Sequence, residues 1–196
     1  MCRTCQPALD ARLHLPPGVA MGLPGDIPSP LLQLEWCGPF GGLLRTALHQ
    51  LKYAGEQRVA VPLGEAIARR WARAGAGGDL LVPVPVHAER ARQRGYDQAR
   101  LLARVAADRL NLSWAPVLQR RRNTVAQYHL DRSHRAANVA DAFSLAPDVE
   151  PGTLTGRWIV LLDDVVTTGA TLTACARPLL QAGAIGVSAV TVARER

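Results

Sequence analysis

Ile159-Val-Leu-Leu-Asp163-Asp164-Val-Val-Thr167-Thr168-Gly169-Ala-Thr171 is the stretch that decides the fold of this chain. Four apolar residues end in two adjacent carboxylates, a turn of small, hydroxyl and glycine residues follows, and Leu172 opens an amphipathic run. The pattern predicts a buried strand, a tight loop and a helix N-terminus. In such a loop consecutive backbone N–H groups converge on one point, and the helix dipole adds partial positive charge there. That arrangement suits a phosphate. Asp163 and Asp164, at the carboxyl end of the strand, stand where a sugar's hydroxyls, or a magnesium ion held by them, would lie in an open α/β sheet. The plainer alternative is a strand–turn–helix whose Asp pair caps the helix.

Working outward, Trp158–Leu162, Thr171–Gln181 and Val187–Ala193 read as strand, helix and strand. Upstream, Leu43, Leu44, Ala47, Leu48 and Leu51 recur at helical spacing with Gly55 as the stop. A second helix is expected over 61–74, a buried strand over 80–84 and a third helix over 97–110. Trp114–Leu118, interrupted by Pro116, and Ala140–Leu145 read as short strands. Residues 120–138 are basic and without period, which predicts a loop, and 147–156 a turn-rich connection. The alternation predicts an α/β fold, a mainly parallel sheet with helices on both faces.

A length of 196 residues suits one domain, and 48% hydrophobic content supports a folded core. No run approaches the ~18 apolar residues of a membrane span, and the first residues lack the pattern of a secretory signal. Cytoplasmic residence is the default expectation, and four scattered cysteines fit a reducing compartment. The net charge of +7 implies an anionic partner: a phosphorylated small molecule, nucleic acid or an acidic protein. Of 23 basic residues, Lys52 alone is lysine. It closes the first helix, where it either neutralises the last carbonyls or reaches a phosphate or second substrate.

The second informative segment is Val82-Pro-Val-Pro-Val-His87, followed by Arg90, Arg94-Gly95-Tyr96 and Gln98-Ala99. Alternate prolines cannot donate to a ladder and end a strand sharply. Arg90 and Arg94 are then expected at the sheet's carboxyl edge, where two guanidiniums suit a pyrophosphate. A surface turn with solvated arginines is the alternative.

Ile159–Thr171 resembles the 5-phosphoribosyl-1-pyrophosphate (PRPP) motif of the type I phosphoribosyltransferases. The order Val-Pro-Val-Pro-x-His, Arg-Gly-Tyr, an Arg-rich Thr/Gln segment and then the PRPP loop resembles the ComF family of competence-associated proteins with that fold. Thr124, Gln127, Leu130, Arg135 and Asn138 match the family's middle segment. The resemblance covers residues 43 to the C-terminus and implies a phosphoribosyltransferase domain over 39–196, after an irregular lead-in over 1–38.

For function, it implies PRPP taken with Mg²⁺, a nitrogen acceptor that the sequence does not name, and a link to DNA uptake. Asp163 and Asp164 would contact the ribose. Val165, Val166, Thr167, Thr168, Gly169, Ala170 and Thr171 would hold the 5-phosphate, with Arg90, Arg94 and Lys52 near the other phosphates. Residues 120–138 would fold over the ligand, with Arg120, Arg122 and Arg135 screening the leaving pyrophosphate. Two departures stand out. Asp97 replaces the family's usual Asn, which removes an amide donor but keeps a helix cap. Cys2 and Cys5 are the only Cys-x-x-Cys pair, a remnant of the family's four-thiolate knuckle, so bound zinc is not expected. The alternative function is a non-catalytic module: a PRPP sensor, or a surface for single-stranded DNA or a helicase-like competence partner, with the basic loop tracking phosphates.

Overall fold

The computed structural model describes residues 5–17, 30–121 and 142–195. Its centre is a sheet of five strands, all parallel: β1 (Leu31–Pro39), β2 (Leu80–Pro83), β3 (Ser113–Trp114), β6 (Trp158–Val166) and β7 (Gly186–Arg194), in the order β1-β7-β6-β2-β3. A separate antiparallel hairpin joins β4 (Leu118–Arg120) to β5 (Phe143–Leu145). The helices are α1 (Gln6–Leu9), α2 (Gly42–Tyr53), α3 (Ala60–Ala74), α4 (Ala88–Arg94), α5 (Gln98–Leu110) and α6 (Ala170–Gln181).

Alternation along β6 assigns the layers, because successive side chains of a strand leave opposite faces. Val160 and Leu162 are buried with Leu44, Leu48 and Leu51 of α2, Leu63 and Ile67 of α3 and Leu102 of α5. Ile159 and Leu161 are buried with Leu172, Cys175 and Leu179 of α6 and with Phe143 of the hairpin. Helices therefore cover both faces, as the alternating sequence pattern predicts, and β6 is apolar on both. Gly64 lets α3 and α5 approach closely, since a Cβ there would sit 2.7 Å from that of Val105.

Besides Trp114–Leu118, read as one strand but divided between β3 and β4 around Pro116, two features differ from the sequence-based expectation. Residues 31–38, assigned to the irregular lead-in, belong to the nine-residue edge strand β1, which pairs with β7 from Leu31↔Val187 to Pro39↔Arg194. The reason lies in a polar pair that hides the strand's period: Gln33 and Glu35 are buried rather than solvated. Glu35 accepts from Arg70 Nη2 at 2.6 Å and Nε at 2.9 Å. Arg70 also donates to the carbonyls of Arg12, Leu15 and Pro16, so one guanidinium ties the lead-in to α3 and β1. The second feature is α4, expected as a turn. His87 caps it by accepting from Glu89 N–H at 3.3 Å, and Gly95 ends it at φ 78°.

Most of 120–138, including Arg122 and Arg135, and Cys2 of the remnant knuckle lie outside the described residues. Among the described residues no helix is long and apolar enough to cross a membrane.

Candidate functional site

Strand β6 runs further than its apolar run suggests, and both acids lie within it. Asp163↔Thr191, Val165↔Ala193 and Val166↔Arg194 are all ladder pairs. Val165 and Val166, grouped with the phosphate loop from sequence, thus form the strand's end. The Val166 side chain is buried and its carbonyl accepts from Glu195 N–H at 2.9 Å. The loop proper is Thr167-Thr168-Gly169. Thr167, Thr168, Ala170 and Thr171 are exposed at its rim. Gly169 is buried at φ 82° and precedes the first turn of α6, whose Ala170 N–H meets Thr168 Oγ1 at 3.4 Å.

Strand alternation sends the two adjacent acids to opposite faces. Asp164 continues the Val160–Leu162 face, where α2 and α5 lie, and Lys52 Nζ of α2 stands 2.8 Å from its Oδ2. Gln98 Nε2 of α5 donates to the same oxygen at 3.1 Å. Gln98 is itself buried, and its Oε1 accepts from Arg94 Nη1 at 2.6 Å. Asp163 continues the other face, and its Oδ1 accepts from the backbone N–H of Asp164 at 2.8 Å.

Loss of hydration and the adjacent charge of Asp164 push the Asp163 carboxyl well above its ordinary range, against smaller opposing effects of that N–H and of Lys52. The folded protein therefore holds a proton that the unfolded chain has released. Asp163's own contribution to the stability of the ligand-free protein is complete below the ordinary value of 3.8 and is lost as pH rises from there through the raised folded value. Asp163→Asn keeps the Oδ1 acceptor and removes the charge. It should flatten that decline and raise the neutral-pH melting temperature by about 2–4 °C for each kcal/mol recovered. Melts from about pH 4 to pH 8 check this, and an unchanged slope in the variant contradicts it.

Lys52, Arg90 and Arg94 come from α2 and α4 and line one cleft of about 550 Å³ with Tyr53, Gln93 and Tyr96. Among the described residues no carboxylate lines it. Lys52 does not serve its helix end, because its ammonium leaves the last turn for Asp164. Tyr96 Oη donates to the Leu51 carbonyl, which fixes the segment after α4 against α2. The Arg94 guanidinium sits 5.3 Å from the centre of the Tyr53 ring. Asp97, the departure from the family's Asn, caps α5 through Oδ1, which accepts from Ala99 N–H at 2.8 Å and Arg100 N–H at 3.2 Å. The cap survives the change. The amide beside it is Gln98, quoted in the same stretch of sequence but given no role there. Its signal was its place one residue after the cap, at the start of a helix whose inward face points to β6.

Arg120 ends β4, and its guanidinium lies 5.6 Å from the Phe143 ring. Cys175 of α6 is a buried thiol pushed well up by loss of hydration, then by Asp163, with Arg120 opposing. No group of three or more His, Cys, Asp or Glu among the described residues is arranged to hold a metal ion directly.

Over 204 residues the chain is 31% identical to the DNA utilization protein YhgH of Salmonella typhi, covering 95% of this chain and 87% of that protein. It is 37% identical over 116 residues to the competence protein ComFC of Bacillus subtilis, covering 59% and 44% of the two. The chain belongs to the ComF family. No family model matches it. Among solved structures it is similar to the B. subtilis glutamine PRPP amidotransferase, with a TM-score of 0.46, 20% identity and coverage of 70% of this chain and 26% of that one. In this ComF-family chain the acid pair lies at the carboxyl end of β6, the middle strand of a parallel sheet covered by helices on both faces.

Proposed function

We propose that this chain binds PRPP with Mg²⁺ at the carboxyl end of β6 and transfers its phosphoribosyl group to a nitrogen nucleophile. One observation carries the reading: three cations from two distant segments line a cleft without carboxylates, joined to Asp164 by the Lys52 ion pair and the Arg94–Gln98 chain. Arg90 and Arg94 offer a pyrophosphate planar bidentate donors, and Lys52, held by Asp164, adds a third cation. The Thr167–Thr171 loop holds the 5-phosphate, with Gly169 permitting close backbone approach. Asp163 and Asp164 orient the ribose hydroxyls and are the residues that would face the hydrated Mg²⁺ carried by PRPP. Asp164 already holds the Lys52 ammonium, and a divalent cation would favour the ionised form of Asp163 that the ligand-free protein disfavours. When bound, Mg²⁺ neutralises phosphate charge and favours departure of the pyrophosphate.

In the transfer, a nitrogen lone pair forms the bond to C1 of the ribose. The C1–O bond breaks, its electron pair leaves with pyrophosphate, and the nitrogen gives up a proton to solvent or phosphate. Lys52, Arg90 and Arg94 stabilise the charge that develops on the leaving group. Arg120, at the end of β4, and Arg135, outside the described residues, are the further cations assigned to screening the leaving pyrophosphate. The coenzyme-like demands are few, since catalysis rests on positioning and charge.

Lys52→Met removes the partner of an acid that is 8% exposed. It should cost about 1–3 kcal/mol of stability, because Asp164 keeps only the Gln98 donor. It should also weaken PRPP binding, since the cleft loses one of its three cations. Thermal melts and a titration read the two effects separately. Normal stability in the variant would show that the Lys52–Asp164 pair is not made in solution.

The second reading, a PRPP sensor or DNA-binding module in the cytoplasm, is favoured by the relatives' DNA-utilization and competence names and by the net charge of +7. Incubation with PRPP, Mg²⁺ and a panel of nitrogen bases decides between them. Base-dependent pyrophosphate release supports the transferase. PRPP binding without release supports the sensor, and binding of a single-stranded oligonucleotide or a helicase-like partner without PRPP binding supports the module.

A further inference from the structure

A second cavity, of about 410 Å³, lies between the β4–β5 hairpin and the C-terminal turns of α6, and it shares no residue with the PRPP cleft. Arg121 and Arg177 line it from two different elements, with Ser144 and Gln181 as further polar groups and Phe143 and Pro178 among its apolar walls. No carboxylate lines it, and neither arginine is in an ion pair among the described residues. Arg177 lies eight residues beyond Gly169, about 12 Å along the helix at 1.5 Å per residue, so this cavity is separate from the phosphate loop.

We propose that this cavity is a nucleoside-phosphate site, in which Arg121 and Arg177 hold the phosphate and the half-buried Leu145–Pro178 wall carries the base. Charge weighs in favour of an anion. The C-terminal end of α6 contributes roughly half a negative charge, against two guanidiniums. A role in neutralising the helix end accounts for Arg177 but not for Arg121, which arrives from the hairpin. The apolar wall decides the ligand class: a free phosphate needs none, whereas the ring of a nucleotide covers one. Ser144 and Gln181 add hydrogen-bonding groups for a sugar or base edge. The same chemistry is offered by a free mononucleotide and by one unit of a single strand.

Full-length Gly169→Asp protein, in which the phosphate loop is blocked, is titrated with thymidine monophosphate, with a single-stranded oligothymidylate and with inorganic phosphate. The proposal expects saturable mononucleotide binding, at least about tenfold tighter than inorganic phosphate, that falls at least about tenfold on adding Arg121→Ala or Arg177→Gln. Binding of the oligonucleotide alone, with the same loss in both arginine variants, assigns the site to a strand unit and keeps the proposal. Absence of binding by either nucleotide, binding unchanged in both arginine variants, or inorganic phosphate binding as tightly as the nucleotide overturns it. Thermal melts confirm that each variant is folded. Because the site lies apart from the PRPP cleft, its failure leaves the transferase reading untouched.

Discussion

Gly169→Asp abolishes PRPP binding in this account, and it should do so in a protein that remains folded. Gly169 sits at φ 82°, buried, immediately before the first turn of α6. Left-handed backbone costs a side chain about 1–2 kcal/mol, and aspartate is among the residues that tolerate it best. The fold therefore survives. The function does not, because the new carboxylate stands where backbone N–H groups would meet the 5-phosphate. Like-charge contact in a partly desolvated pocket costs several kcal/mol, so affinity should fall by at least about 100-fold. Asp163→Asn combined with Asp164→Asn should weaken binding less, since the phosphate loop stays intact. Circular dichroism and calorimetry together read the result. Undiminished affinity in folded Gly169→Asp would remove the loop from the phosphate site.

Arg70→Met carries the largest expected cost in stability. Arg70 and Glu35 are 1% and 0% exposed, and the guanidinium holds three lead-in carbonyls as well as the carboxylate. Removing it takes the two-pronged guanidinium from a buried anion, which keeps the Gln33 amide donor at 2.7 Å. The expected loss is about 3–5 kcal/mol in urea denaturation. The lead-in around residues 12–16 should also become a site of early proteolysis, because the guanidinium that tied it to α3 and β1 is gone. Adding Glu35→Leu should recover most of the stability, since the charge that needed a partner is gone too. A loss under about 1 kcal/mol in the single variant would mean that Asp10–Arg69 and the apolar contacts hold the lead-in without Arg70.

The elements that sequence made legible are those whose burial agrees with their local pattern. α2, α3 and α5 carry apolar residues at helical spacing and end in glycine or asparagine, at Gly55, Gly75 and Asn111, and each lies within a residue or two of its expected position. β1 was not legible, because Gln33 and Glu35 look solvent-facing until Ala74, Ala76 and Arg70 are seen to satisfy them. Nothing local announces a partner 35 residues away. β6 was recognised but read too short, since a charged pair usually ends a strand; here Lys52 and Gln98 satisfy Asp164 within it.

The candidate site shows the same division. The acid pair and glycine loop are contiguous and could be read directly. That Lys52 joins Arg90 and Arg94 at one cleft depends on α2 and α4 meeting through Tyr96 and Leu51, which only tertiary structure provides. The linking role of Gln98 was hidden for the same reason.

Calorimetric titration of the full chain with PRPP and Mg²⁺ tests the central claim most directly. The account predicts saturable binding at one site per chain, weakened in Lys52→Met and lost in Gly169→Asp. No saturable heat from wild-type protein that is folded would contradict it.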